Sequence, residues 1–74
     1  MPNDRSLKAL GFAIRQIRQK KNWSQEELAE YAGLHRNYVS STERGERNIA
    51  LINILKISQA LNLKGSDLLK LASL

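Results

Sequence analysis

Cysteine is absent from this 74-residue sequence, and histidine occurs once, at His35. Disulfides and thiolate metal sites are therefore excluded, and a single histidine cannot supply the three or four ligands that zinc usually needs. We expect no metal, no cofactor and no small-molecule ligand. A chain this short buries only about 60 % of its unfolded surface. Since no covalent crosslink can add stability, oligomerisation is the expected source of it.

Long hydrophobic runs are also missing, and the one proline, Pro2, lies at the start of the sequence. No window approaches the roughly 18–20 apolar residues that span a bilayer, so we expect no membrane association. The first residues lack a basic stretch followed by an apolar one, which predicts a cytoplasmic protein without a leader. No segment alternates between apolar and polar residues as a half-buried strand does. These absences favour an all-α chain.

Basic residues are what the sequence has in excess: 12 Lys and Arg against 7 Asp and Glu give a net charge of +5. Such a balance favours a polyanionic partner, because a nucleic acid presents a dense row of negative charges. Net charge alone is equally compatible with a merely soluble basic protein. The basic residues lie within the predicted helices rather than in a tail, which favours the functional interpretation.

Apolar residues recur at helical spacing in five stretches that end near glycine or asparagine. We predict one compact domain over residues 1–74. Its five short helices are predicted at residues 6–21, 25–32, 36–44, 51–61 and 65–72.

The segment 24–45 carries the most specific pattern. Ser24 and Glu27 have the spacing of a capping box, and Gly33 suits a tight turn that needs a positive φ. Ala29 is small enough for close helix packing, and Val39 is placed to pack back onto the second helix. The predicted third helix is otherwise polar, so it meets either solvent or a polar partner. Together these features predict a helix-turn-helix.

Residues 24–34 (SQEELAEYAGL), 38–40 (YVS) and 43–45 (ERG) resemble the Cro/CI, or XRE-type, helix-turn-helix family over roughly residues 7–70. This resemblance implies a five-helix, lambda-repressor-like domain that binds double-stranded DNA, usually as a dimer on a near-palindromic operator. Residues 35–48 are similar to the controller proteins of restriction–modification systems, which regulate their own gene and the endonuclease gene. The sequence departs from that pattern at His35, Asn37, Ser41 and Ile49. The departure at His35 predicts a weaker helix cap than aspartate would give.

The predicted DNA contacts centre on the third helix. Arg36 and Asn37 open it, where side chains enter the major groove, and they can grip guanine and adenine with two hydrogen bonds each. Gln25 begins the second helix, where N–H groups attract a phosphate. For Tyr38 the alternative is packing on the rim of the core, and for each other contact it is an ordinary solvated surface residue. The full predicted set is Gln25, Arg36, Asn37, Tyr38, Ser40, Ser41, Arg44, Arg47 and Asn48.

Three further assignments concern structure rather than DNA. The resemblance implies that Arg18 and Glu43 form an ion pair between the first and third helices. Trp23 and Tyr31 are expected in the core. The leucines near the end exceed what a short terminal helix buries, so we predict a symmetric dimer through residues 50–74 rather than a locally packed tail. Its predicted interface residues are Leu55, Leu63, Leu68, Leu69 and Leu71.

Other functions fit less well. An enzyme is not expected, because the sequence offers no nucleophile with a second histidine, no paired carboxylates in an apolar setting and no glycine-rich phosphate loop. An antitoxin would normally carry an additional toxin-binding segment, and a phage-type repressor differs mainly in genomic context; both remain alternatives. In the favoured mechanism, two subunits place their third helices in successive major grooves about 34 Å apart. Occupancy then blocks or recruits RNA polymerase.

Overall fold

The computed structural model describes residues 4–74, which form five α-helices and no strand. The all-α, five-helix fold class predicted from the sequence is confirmed, and every predicted boundary lies within one residue of the observed one. The helices are α1 (Arg5–Lys20), α2 (Gln25–Ala32), α3 (Arg36–Glu43), α4 (Leu51–Ala60) and α5 (Gly65–Leu71).

Local sequence explains where α2 begins and ends. The Ser24 hydroxyl accepts the Glu27 N–H at 3.0 Å, and the Glu27 carboxylate accepts the Ser24 N–H at 2.8 Å. This is the predicted capping box, which satisfies N–H groups that have no partner within the helix. Gly33 follows α2 in the left-handed conformation, with φ of 69°. A glycine adopts that conformation without the steric cost of a Cβ.

The core lies where the five helices converge. α2 packs on α3 and α4, α1 packs on α3 and α5, and α4 packs on α5. Each helix contributes large apolar side chains that are almost completely buried. The largest of them are Ile14, Leu28, Val39, Ile57, Leu61 and Leu68.

Gly11 sets the distance between α1 and α3. A Cβ added at Gly11 would lie 2.3 Å from the carbonyl oxygen of Thr42 and 2.6 Å from that of Glu43. Because both are backbone atoms, no side-chain rotation could relieve the clash. The absence of a side chain at this position therefore allows α3 to lie directly against α1.

Tyr31 is not in the core, contrary to the sequence-based expectation, and remains 58 % exposed. The inward positions of the short α2 are taken by Leu28, Ala29 and Ala32, so Tyr31 falls on the outer side. Its ring instead packs on the half-buried Trp23 with centroids 4.6 Å apart.

None of the helices in residues 4–74 is long and apolar enough to cross a membrane.

Candidate nucleic-acid interface

The third helix presents a polar face to solvent and buries its opposite side. Val39 is fully buried, whereas Arg36 and Asn37 are exposed at the first turn. Ser40 and Ser41 follow one turn later and are half-buried. At helical spacing these four polar side chains lie on the same side of α3. The structure therefore brings the predicted base-contacting residues together on one outward surface.

His35 caps the start of this helix. Its Nδ1 accepts the backbone N–H of Asn37 at 3.3 Å, a long hydrogen bond made by a solvent-exposed side chain. An imidazole nitrogen accepts a hydrogen bond only when it carries no proton. The cap thus exists, as the sequence suggested, but with one long bond.

A buried ion pair fixes α3 to α1. Arg18 Nε donates to Glu43 Oε2 at 2.7 Å, and Arg18 Nη2 donates to Glu43 Oε1 at 3.0 Å. Arg18 Nη1 also donates to the carbonyl of Trp23 at 2.7 Å. The hydrogen bond to Glu43 and its negative charge raise the pKa of Arg18, and burial opposes that shift only in part. The structure shows the ion pair that the family resemblance implied.

Gln25 belongs to the same network. Its Nε2 donates to Glu43 Oε1 at 2.9 Å, so the side chain links the start of α2 to the end of α3. The sequence predicted Gln25 as a phosphate contact. The bond to Glu43 uses one of the two N–H donors of this amide, so the second N–H and the backbone N–H groups at the start of α2 are left for that role. The contact itself stays a prediction.

Arg47 follows α3 and contacts two side chains of that helix. Its guanidinium carbon lies 4.3 Å from the centroid of the Tyr38 ring, and its Nε donates to the Ser41 hydroxyl at 2.9 Å. Tyr38 is half-buried because it packs against the hydrophobic core, and its ring also carries the guanidinium of Arg47. These contacts preorganise a cation beside the polar face of α3, and the neighbouring Asn48 is exposed.

Arg44 lies on the other side of the same surface. Its Nη1 donates to the Ser40 hydroxyl, and its Nε donates to Glu46 at 3.0 Å. The pair with Glu46 is more than half exposed on both sides. Exposed pairs of this kind contribute little to stability, about 0–1 kcal/mol, and exchange partners readily. Arg44 is therefore available to an incoming phosphate.

The predicted dimer residues fall into three groups. Leu68 is fully buried within the core of one chain, so its assignment to the interface is wrong: α5 turns this leucine inward against the monomer. Leu63 and Leu69 are half-buried against the core, and Leu55 and Leu71 are 39 % and 60 % exposed. The sequence analysis missed two other exposed apolar side chains in the same region, Leu51 and Ile52. Leu74, one of the leucines near the end, is exposed as well.

Comparison with known proteins identifies the family to which this chain belongs. A helix-turn-helix family model matches residues 14–69, and the chain belongs to the helix-turn-helix family. Members of this family are DNA-binding transcriptional regulators and not enzymes.

Individual relatives and solved structures are also similar to this chain. The chain is 55 % identical over 60 residues to the control protein C.BamHI of Bacillus amyloliquefaciens, a match covering 80 % of this chain and 74 % of that protein. It is 47 % identical over 70 residues to a hypothetical transcription factor of Neisseria meningitidis, covering 93 % of this chain and 66 % of that one. The crystal structure of the restriction–modification controller protein C.AhdI from Aeromonas hydrophila superposes with a TM-score of 0.81 at 45 % identity, covering 84 % and 94 % of the two chains.

Proposed function

We propose that this protein is a restriction–modification controller that binds a near-palindromic operator as a homodimer and regulates its own gene. The observation that carries the proposal is the exposed polar face of α3, which the buried Arg18–Glu43 pair anchors to the rest of the fold. A rigid support matters because base readout requires side chains placed to within a fraction of an ångström. The likeness to the control protein C.BamHI supports the controller role.

Sequence is read at the start of α3. Arg36 can donate two hydrogen bonds to guanine O6 and N7, and Asn37 can pair with adenine N6 and N7. Each such contact gives about 1–3 kcal/mol of discrimination against a wrong base. Ser40 and Ser41 lie one turn further along and contact a base edge or a phosphate.

Residues next to α3 contact the DNA backbone. Gln25 approaches it through the start of α2, and Arg44, Arg47 and Asn48 approach it from the segment that ends α3. Tyr38 positions Arg47 for its contact, because the guanidinium of Arg47 stacks on the Tyr38 ring. These contacts supply affinity and register but carry no sequence information themselves.

Two copies assemble through the apolar surface near the end of the chain. Leu55 and Leu71 are exposed, and Leu63 and Leu69 are half-buried beside them. Covering apolar area yields about 25 cal/mol per Å², which favours a second copy over solvent. A two-fold axis through this surface would place two copies of α3 in successive major grooves about 34 Å apart.

Regulation follows from occupancy of the operator in the cytoplasm. A dimer on DNA beside a promoter excludes RNA polymerase or gives it a protein surface to bind. The likeness to C.AhdI, a restriction–modification controller protein, favours a circuit in which the protein governs its own production.

Selection from a library of random duplexes tests the proposal, with a footprint upstream of the protein's own gene as its second part. We expect the wild type to enrich a near-palindromic sequence and to protect its own upstream region. Arg36→Ala should lose the preference for the enriched sequence while keeping weak, salt-sensitive binding. Lys64→Gln is the matched control, since it removes a positive charge in the turn between α4 and α5.

Failure would be unambiguous. Enrichment of no sequence by the wild type would overturn the proposal as a whole. Absence of protection upstream of the gene would overturn autoregulation alone. An Arg36→Ala variant that enriches the same sequence as the wild type would refute the role given to Arg36.

A further inference from the structure

The geometry points to Arg15 as a DNA-backbone contact: with Arg44 and Ser40 it forms a phosphate-binding site between α1 and α3. This inference rests on the proposed function and extends the interface to a helix that the sequence did not implicate. The site is a concavity of about 310 Å³. We call it the arginine groove, and its lining residues are Arg15, Arg18, Gln25, Ser40, Glu43 and Arg44.

The charge of the groove is positive at its solvent side. Glu43 is the one carboxylate among its lining residues, and its side chain is only 2 % exposed. Both of its oxygens are occupied by Arg18, and Oε1 also accepts the Gln25 amide. The Glu43 charge is thus neutralised and shielded from an incoming anion.

Two further cations remain for a ligand. Arg15 is exposed on α1, and Arg44 is exposed at the end of α3. Arg44 Nε is paired with Glu46, but this pair is more than half exposed and weak, so a phosphate can replace it. The Ser40 hydroxyl lies between the backbone of α3 and the guanidinium of Arg44, to which it is hydrogen-bonded. Two guanidinium groups with an adjacent hydroxyl match the oxygens of a phosphate, which arginine binds through paired, charge-assisted hydrogen bonds.

The position of the groove indicates which phosphate it takes. Ser40 and Arg44 continue the polar face of α3 that begins with Arg36, so the groove adjoins the surface proposed to read bases. A duplex laid along that face would bring a backbone strand against its α1 side. Arg15 would then approach the strand from the first helix while Arg47 approaches from the segment that follows α3.

Salt dependence of DNA binding measures this contact directly. Each phosphate that a protein neutralises adds about 0.9 to the slope of log affinity against log salt. We expect Arg15→Gln to reduce the slope by about 0.9 and to weaken binding about eightfold near 0.1 M salt. The loss should be equal on the selected duplex and on a scrambled duplex, because a phosphate carries no sequence information.

Matched variants separate charge from shape. Lys64→Gln removes the same charge from the turn between α4 and α5 and should leave the slope at the wild-type value. Arg15→Lys keeps a positive charge and should retain the slope, although a lysine lacks the two-pronged geometry. Thermal melting of each variant verifies folding; should Arg15→Gln fail to fold, Arg15→Ala replaces it.

The outcomes distinguish this inference from the proposed function. A wild type that binds selected and scrambled duplexes equally defeats the proposed function, whereas a reduced slope for Arg15→Gln would still support the groove. A slope unchanged in Arg15→Gln overturns the inference even when the wild type discriminates between sequences. Free inorganic phosphate is titrated at constant ionic strength while the backbone amides of Ser40 and Arg44 are followed by NMR. Saturable shifts there, combined with an unchanged DNA slope in Arg15→Gln, would assign the groove to a free anion and overturn the DNA contact.

Discussion

Arg18 and Glu43 meet through two hydrogen bonds, of 2.7 and 3.0 Å, between side chains 25 positions apart in the sequence. The two residues join the first helix to the end of the third, and Gln25 adds a link from the second. One buried carboxylate thereby fixes the relative positions of three helices. The surface proposed to read DNA depends on this arrangement, because α3 makes few apolar contacts of its own.

Breaking the pair from one side should be costly. Arg18→Met would leave the Glu43 carboxylate buried without its partner, which costs about 3–5 kcal/mol of unfolding free energy. For a domain of this size that lowers the melting temperature by about 12 °C or more. Thermal melting followed by circular dichroism measures the effect.

The control for Arg18→Met is the double variant that also carries Glu43→Met. This double variant removes both charges and should be more stable than Arg18→Met alone. A double variant less stable than Arg18→Met would contradict this account.

The raised pKa of Arg18 means that the stability contributed by this residue is lost only when the pH rises through that high value. The arginine side of the pair therefore adds no pH dependence to stability in the neutral range.

Gly11 should not tolerate a methyl group. In Gly11→Ala the new Cβ meets backbone carbonyls of α3, so the helices must separate, at a cost of about 1–3 kcal/mol. Urea denaturation measures it. Gly65→Ala is the matched control, because its new Cβ meets the end of the Leu55 side chain, which can rotate away. Equal effects of the two substitutions would show that helix contact at Gly11 is not what sets the cost.

The cap at His35 offers room for improvement. His35→Asp should stabilise the protein by about 0.5–1 kcal/mol, since a carboxylate caps a helix better than a long imidazole hydrogen bond. His35→Ala should lower stability because it removes the cap altogether. Urea midpoints of the three proteins give the order. An aspartate variant no more stable than the alanine variant would argue against a capping role for this position.

Self-association should depend on Leu71. Leu71→Gln is expected to weaken the dimer at least tenfold, because about 1.4 kcal/mol of lost apolar burial already corresponds to that factor. Sedimentation equilibrium measures it, and an unchanged far-ultraviolet spectrum would show that the helices persist. Phe12→Gln is the control, because Phe12 is similarly exposed but lies on the outer face of α1. If both variants weakened association equally, or neither did, the interface would have to lie elsewhere.

Much of the architecture could be predicted from short-range patterns. The capping box at Ser24 and the glycine at Gly33 are local signals, because each satisfies or relaxes backbone groups within a few residues. The helical spacing of apolar residues fixed the number of helices and their limits to within one residue. Fold class and family followed from those features together.

Other properties were decided by tertiary packing. Leu68 and Leu71 are equally apolar and belong to the same short helix, yet one is fully buried and the other is 60 % exposed. The hydrogen bond from Gln25 to Glu43 depends on the distance between two separate helices. The same is true of the groove that both Arg15 and Arg44 line. The sequence alone determined which segments are helical, because helix limits arise from hydrogen bonding and capping between near neighbours. Only the packed structure determined which side chains remain free for a partner, because burial depends on what the other helices bring into contact.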